Sequence, residues 1–472
     1  MLGHRDHQHH RAGRRTLWTS GGNGIPVRVL VAGCLALAAL SLLGPGTPTY
    51  DPWAWIIWGR EITEWNLVTT YGPSWKPLPV FFTTLFALFG EDAAPALWLM
   101  VARAGGLLAI AMSWRLASRL AGWPAGLVAG LSLVLADDFV GNFARGNSEG
   151  ILVAVSLWAV DRHLDGRRRS AFALGFSAAL LRPEVWPFFG LYGLWLLVRD
   201  PGGRLLVIIA FLATPVLWFV PEYIGSGEFL RAAERALHSS PSQPANSEYP
   251  FLAVFARASG LLAPPVLLGA VIAVVLAFQA GKRQTQAAVV IALAGVATAV
   301  LVVVAAMAQA GFAGNLRYVA LSAALVCVLA GVGWSWAASF AAERYGRRAA
   351  LAGAAVALVA SVPFLLVYGG SLQNWLSATA RQAGVVRDLD RAIARSGGAA
   401  AAERCGGVYT GPYEVQLMAW KLHRHGREVG LDPRVPGTIY ARLRHSAEGD
   451  ADPGFRRVAV TDHWMVSRAC GS

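Results

Sequence analysis

Long apolar runs recur along this chain, many close to the 20 or so residues that cross about 30 Å of hydrocarbon, and short Arg-rich connections separate them. Few architectures can hide so many such runs from water. With 55% apolar residues, 15% charged residues and a mean hydropathy of +0.46 over 472 residues, a soluble fold has too little interior, whereas lipid accepts the surplus. The expectation is an all-α polytopic membrane protein. A net charge of +13 raises the question of nucleic acid. The basic residues cluster between spans rather than along one polar face, so they read as topology and no nucleic-acid partner is expected.

The positive-inside rule orders the map. Arg11, Arg14, Arg15 and Arg28 precede a first span at 27–44 and place the N-terminus in the cytoplasm. Residues 1–26 are expected to be a disordered basic leader, and its His4, His7, His9 and His10 to lack the packing a metal site needs. Gly44-Pro45-Gly46 ends the span. A first outer loop (45–77) carries Trp53, Trp55, Trp58, Trp65 and Trp75, which suggests an amphipathic helix at the headgroup level. Residues 78–90 are too short to span and read as interfacial or re-entrant. Further spans are placed at 97–118, 122–136, 149–161, a short pair at 170–182 and 184–198, then 205–220, 260–280, 286–309, 318–340 and 349–369. The total is about eleven, with further outer loops at 137–148 and 221–250.

The transmembrane domain thus covers 27–369, and residues 370–472 fall outside the membrane. There the pattern changes to an amphipathic stretch (375–395, with Leu376, Val385, Leu389 and Ile393) and then strand-like GGVYTG and RRVAVTDHW. A small extracytoplasmic α/β domain is expected. Cys405 and Cys470 could pair there, while Cys34 and Cys327 lie in apolar runs as small hydrophobes.

The outer loops gather ionisable residues. Asp51-Pro52 reads most simply as an N-cap with proline in the first turn, and Arg60 and Glu61 further along as a solvated face. Lys76 stands among prolines at the mouth of an apolar segment, where a lysine ordinarily snorkels to lipid phosphate. Asp137, Asp138, Arg145 and Glu149 share the second loop, and Glu149 suits a helix N-terminus. Arg182 and Glu184 lie between apolar runs, an expensive position that is functional by default in a membrane. Arg317 opens another span. Carboxylates and cations around one vestibule are what an acceptor hydroxyl and a phosphate leaving group require.

The order of these segments resembles the GT-C membrane glycosyltransferases, in the branch of protein O-mannosyltransferases and lipid A aminoarabinose transferases. YDPWAWIIWGREITEW is similar to that branch's first-loop segment, WKPLPVFFTTLFALFG to its Lys-Pro segment, GNSEGILVAVSLWAV to its second-loop segment, and ALLRPEVW falls near its short turn; Arg103 matches an early Arg of the next span. Pro52 stands where Glu commonly follows the acidic residue, and Glu149 where Asp is usual. The resemblance, over about residues 27–250, implies an inverting glycosyltransferase using a sugar on a polyprenyl phosphate. Asp51 would be the general base, with Glu149 assisting it, orienting the acceptor or helping to hold a divalent cation. Lys76, Arg182 and Arg317 would take the donor phosphate, supported by Arg60, Glu61, Arg145 and Glu184. The acceptor would be a hydroxyl of a glycan, lipid or protein of the envelope, and the Arg- and Ala-rich composition suits a bacterial plasma membrane. The rival readings are a lipid-linked-sugar flippase and a non-catalytic membrane subunit.

Overall fold

The structure is a computed structural model in which residues 25–280, 285–443 and 454–471 are described. Most of the basic leader and the Lys282-Arg283 connection lie outside the described residues. Helix α1 (Val27–Ser41) is the first apolar run, α2 (Tyr50–Thr63) carries three of the tryptophans, α3 (Pro77–Ala87) is the short apolar segment and α4 (Ala93–Ala121) the next long one. Helix α5 (Trp123–Leu135) leads into the second loop, where a short α6 (Phe139–Ala144) forms, and α7 (Glu149–Leu164) leaves it. The short pair is α8 (Arg168–Ala179) and α9 (Trp186–Arg199), followed by α10 (Arg204–Ser226) and two loop helices, α11 (Arg231–Leu237) and α12 (Pro250–Ala258). Then come α13 (Pro264–Ala280), α14 (Thr285–Gln309), α15 (Ala320–Tyr345) and α16 (Arg347–Arg395).

Among the described residues, five helical segments are long and apolar enough to cross a membrane: Ala93–Ala121, Pro201–Ser226, Thr285–Gln309, Leu316–Tyr345 and Arg347–Arg395. Shorter apolar helices α1, α3, α5 and α13 accompany them. One buried apolar cluster joins α4, α5, α7, α13, α14 and α15. The charges divide along α7. Its first residue, Glu149, belongs to the ionic cluster described below, and near its other end the buried Asp161 receives Arg115 at 3.2 Å, Arg119 at 3.1 Å and Arg162 at 2.7 Å. Sixteen residues at 1.5 Å rise separate the two ends by about 24 Å.

Two expectations are corrected here. The tryptophan helix does not present its indoles to the headgroups. Trp53, Trp55 and Trp58 of α2 are buried, as are Arg60 and Glu61, which were read as a solvated face. They are covered by α3 on one side and by the C-terminal domain on the other. Thr83 Oγ1 donates to the Trp55 carbonyl at 2.6 Å, and Gly59 sits where any Cβ would meet the Thr83 backbone. The second correction concerns the end of the last span. Gly369-Gly370 does not stop the helix, and α16 runs unbroken for 49 residues. Its far half is held helical by tertiary packing, with Ala383, Val385, Leu389 and Ala392 buried against the domain beyond.

That domain comprises α17 (Gly398–Cys405), β1 (Gly407–Thr410), α18 (Val415–Lys421), β2 (Val429–Gly430), β3 (Gly437–Arg442), β4 (Arg456–Val460) and β5 (Trp464–Ala469). The strands form one sheet in the order β2-β1-β3-β5-β4, with β1 parallel to both its neighbours and β5 antiparallel to β3 and β4. Trp464 Nε1 donates to the Val385 carbonyl of α16 at 2.9 Å. Cys405 and Cys470 form a disulfide across 65 residues, and Cys34 and Cys327 are free and buried. Closing a loop of that length removes unfolded-state entropy worth about 4 kcal/mol. The double variant Cys405→Ser/Cys470→Ser is therefore expected to lose protease resistance in the C-terminal domain at a lower temperature than the membrane bundle, as read by limited proteolysis against temperature.

Candidate active site

Two local rules of the chain deliver its key cations. Lys76 precedes Pro77 and Arg182 precedes Pro183. A residue before proline is pushed to extended backbone, and proline then starts a helical turn. Lys76 (φ −140°, ψ 112°) and Arg182 (φ −150°, ψ 127°) have that geometry. Each is the last extended residue before a turn, and their side chains reach the same place. Glu149 opens α7, where the helix dipole favours its charge. Arg317 follows Asn315, whose side chain accepts the Arg317 amide at 3.1 Å.

These residues meet. Arg182 forms an ion pair with Glu149, and its other end lies 3.8 Å from Glu184. Arg317 Nη2 is 2.7 Å from Asp51 Oδ2, and its Nε is 3.8 Å from Glu149. Lys76 Nζ donates to Ser148 Oγ at 3.4 Å and lies over the Trp55 ring at 4.9 Å. Lys76, Glu149, Arg182 and Glu184 are buried. Desolvation and the neighbouring Arg182 pull the Lys76 ammonium down to about 7, against the opposing pull of Glu149 and Asp51. Glu149 Oε2, Glu184 Oε2, Arg182 Nε and Arg317 Nε are buried with no hydrogen-bond partner. Unpaired buried polar atoms of this kind are costly in a resting scaffold, and a polar ligand would satisfy them.

Asp51 is not a helix cap. The N-cap of α2 is Thr49, Asp51 lies one residue inside the helix, and its carboxylate turns to Arg317 instead. Sequence reasoning also passed over three residues. The Tyr318 ring lies 4.2 Å from the Arg182 guanidinium and 5.7 Å from that of Arg317, and so attracts both like charges. Asn147 joins the loops, accepting from Thr49 Oγ1 at 3.2 Å and from Arg317 at 3.4 Å. Ser148 faces Lys76. The polar pair ahead of an apolar helix was visible as a capping pattern, but nothing local tells what lies opposite.

A cavity of about 610 Å³ opens beside the cluster. Asp51, Glu149 and Arg317 line it, together with Asp137, Asp138, Arg145 and Trp375. The Arg145 side chain joins this second group rather than the cluster. It pairs with Asp138 at 2.7 Å and lies over Trp375 at 4.7 Å. Burial and the adjacent Asp137 push the Asp138 carboxyl up to about 6 despite Arg145. An apolar groove of about 790 Å³ follows α7 and α15 between α8, α9 and α14, from Val185 and Leu321 past Leu325 to Tyr192 and Trp195.

Arg60 and Glu61 belong elsewhere. Arg60 donates to the Arg424 carbonyl at 2.9 Å and lies over Trp420, and Glu61 pairs with His425 at 2.6 Å, so both fasten α2 to the C-terminal domain. The carboxylates of the cluster turn to cations rather than to one another. Among the described residues one trio, Asp388, Asp462 and His463, brings potential metal ligands within 4.8 Å of each other. Arg391 already bridges its two carboxylates, at 2.8 and 3.1 Å.

No family model matches the sequence, and no curated protein matches it. Solved structures do. ArnT from Cupriavidus metallidurans bound to undecaprenyl phosphate is similar with a TM-score of 0.55 at 17% identity, covering 93% of this chain and 97% of its own. The same protein in the apo state gives a TM-score of 0.51 at 16% identity over the same shares. At that identity the likeness is one of fold, and it extends over nearly the whole of both chains. The loop order read from the sequence and this end-to-end superposition lead to one conclusion: the chain has the GT-C fold.

Proposed function

We propose that this protein transfers a sugar from a polyprenyl-phosphate donor to a hydroxyl of a cell-envelope acceptor. One observation carries the reading: the buried Lys76 and Arg182 and the half-buried Arg317 gather around Glu149 beside a polar cavity into which Asp51 opens, and an apolar groove begins at Val185 and Leu321, close in the chain to Arg182 and Arg317. A polyprenyl phosphate has that shape, with an apolar chain, an anionic phosphate and a polar sugar. The ArnT structure bound to undecaprenyl phosphate supplies the precedent on the same fold.

In this mechanism the donor chain lies in the groove along α7 and α15, and the phosphate meets Lys76, Arg182 and Arg317. The acceptor oxygen attacks the anomeric carbon from the cavity side, and the C1–O(phosphate) bond breaks. The acceptor proton passes to Asp51, and polyprenyl phosphate leaves as an anion held by charge-assisted hydrogen bonds. Attack opposite the leaving group inverts the anomeric centre. Arg317 has a double part. It pairs with Asp51 in the free protein, and a bound phosphate would compete for it and free the carboxylate to face the acceptor. Glu149 keeps Arg182 and Arg317 in place, and Glu184 flanks Arg182. The Arg-rich ends of the helices put the N-terminus in the cytoplasm and the C-terminal domain outside a bacterial plasma membrane.

Asp51→Asn is expected to reduce transfer by about 10²–10⁴-fold while undecaprenyl phosphate still binds. A radiolabelled-donor assay paired with a binding titration checks this, and full-rate transfer by the folded variant would remove Asp51 as base. The Lys76 ammonium gives a second expectation. With its pKa near 7, Lys76 is charged below that pH and neutral above it, so it holds phosphate better on the acid side. Affinity for undecaprenyl phosphate should fall above pH 7 by up to about tenfold per unit, and Lys76→Arg, which stays charged, should flatten that limb. A parallel decline in both proteins would assign the effect to another group.

A further inference from the structure

The second outer loop carries two asparagines, the half-buried Asn142 in α6 and the buried Asn147 just ahead of α7. Both line the polar cavity. Asn142 Nδ2 donates to Asp138 Oδ2 at 3.0 Å, Asn147 Nδ2 donates to Asn142 Oδ1 at 3.1 Å, and Asn147 Oδ1 accepts from Arg317 Nη1 at 3.4 Å. Arg317 Nη2 then reaches Asp51. The ends of this chain fix its direction. An ionised carboxylate only accepts and a guanidinium only donates, so both amides turn their nitrogens toward Asp138 and their oxygens toward Arg317. Two amide dipoles are thus aligned head to tail between a negative and a positive group, and hydrogen bonds in such a row strengthen one another.

The anionic end of the chain is held in an unfavourable conformation. Asp138 is at φ 54°, in the left-handed region that residues with a side chain seldom adopt. There Arg145 Nη2 fixes its Oδ1 at 2.7 Å and leaves Oδ2 to Asn142. The charged groups that face Asp138 are Arg145, the adjacent Asp137 and, from α7, Glu149. Helix α4 contributes Arg103, which is engaged with the Ala144 and Ser41 carbonyls, and α16 contributes the uncharged Ser371 and Trp375, both bound to Asp137. With its carboxyl pushed up to about 6, Asp138 is ionised at neutral pH and protonated in mild acid.

We propose that Asn142 and Asn147 are positioning residues, which hold Arg317 to the second loop through a polarised amide chain anchored on Asp138. This rests on the transferase reading. With the chain intact, Asn147 Oδ1 keeps Nη1 of the guanidinium, so Arg317 stays seated while Nη2 turns from Asp51 to the donor phosphate. With the chain cut, or with Asp138 protonated, Arg317 leans on Asp51, and the carboxylate is less free to take a proton. No proton travels along the amides; what they pass is polarisation. Asp138 thereby acts on Asp51 through Arg317.

The test uses the full chain in phosphatidylcholine nanodiscs. An infrared difference titration from pH 5 to 8 follows the protonated-carboxyl band that is missing from Asp138→Asn. Asn147→Ala changes no charge and reaches Asp138 only through Asn142, yet the midpoint should rise by about half a unit. Asn147→Ser, too short to bridge, gives the same reading if the alanine protein does not fold. An unchanged midpoint overturns the proposal, whether or not any sugar is transferred. The second reading is hydrolysis of radiolabelled undecaprenyl-phosphate hexoses and pentoses, with water standing in for the acceptor. Asn147→Ala should lower kcat about tenfold, as expected for one hydrogen bond to a charged group. Its affinity for undecaprenyl phosphate should stay within about threefold of the wild-type value, since the cations themselves remain. Asn142→Ala should lower kcat less, and the double variant no further than Asn147→Ala alone. Additive losses, or a loss of affinity equal to the loss of kcat, overturn the proposal. Absence of hydrolysis by the wild-type protein with every donor tried overturns the transferase reading, and the titration still decides whether the chain couples Asp138 to Arg317.

Discussion

Glu149 is the carboxylate on which the rest of the arrangement depends. It is buried at the first residue of α7 and would be untenable there unpaired. Arg182 and Arg317 make it tenable, and in doing so they draw together the turn after α8 and the start of α15. Removing one partner of a buried pair is costly because the other is left charged in a poor solvent. The same cost works for binding. Lys76, Arg182 and Arg317 stand among three carboxylates, Asp51, Glu149 and Glu184, with Arg182 Nε and Arg317 Nε left without hydrogen-bond partners, and a phosphate would satisfy them.

The sequence was informative where chemistry is local. Apolar runs and Arg-rich turns located most of the helices closely, the far end of α16 excepted, since hydrocarbon and proline act on neighbours. GGVYTG and RRVAVTDHW became strands β1 and β4 because alternation is also a local signal. Asp51, Lys76, Glu149, Arg182 and Arg317 were each visible as ionisable residues in expensive positions, although each had a plain alternative. Only the fold could bring Asp51 to Arg317 across 266 positions of chain.

Where the reading failed, a surface was assigned to solvent or lipid that another part of the chain covers. The tryptophans of α2 have the composition of an interfacial helix, and nothing in YDPWAWIIWGRE announces that Trp420 will pack 6.1 Å from Trp53. Arg60 and Glu61 looked solvated for the same reason. Their partners, Arg424 and His425, stand in a domain more than 350 residues downstream. The end placed at residue 369 marks where the apolar run stops, and packing against the sheet carries the helix on to Arg395.

The unbroken course of α16 has a mechanical consequence. At 1.5 Å per residue it is a rod of about 74 Å, and Ser371, its middle residue of 49, is tied to Asp137. Pro363 lies inside the helix ahead of that tie and removes one rung of its backbone hydrogen-bond ladder, so the arm along the apolar zone and the arm that carries the sheet domain join through a stretch held by side-chain contacts as well as by helix.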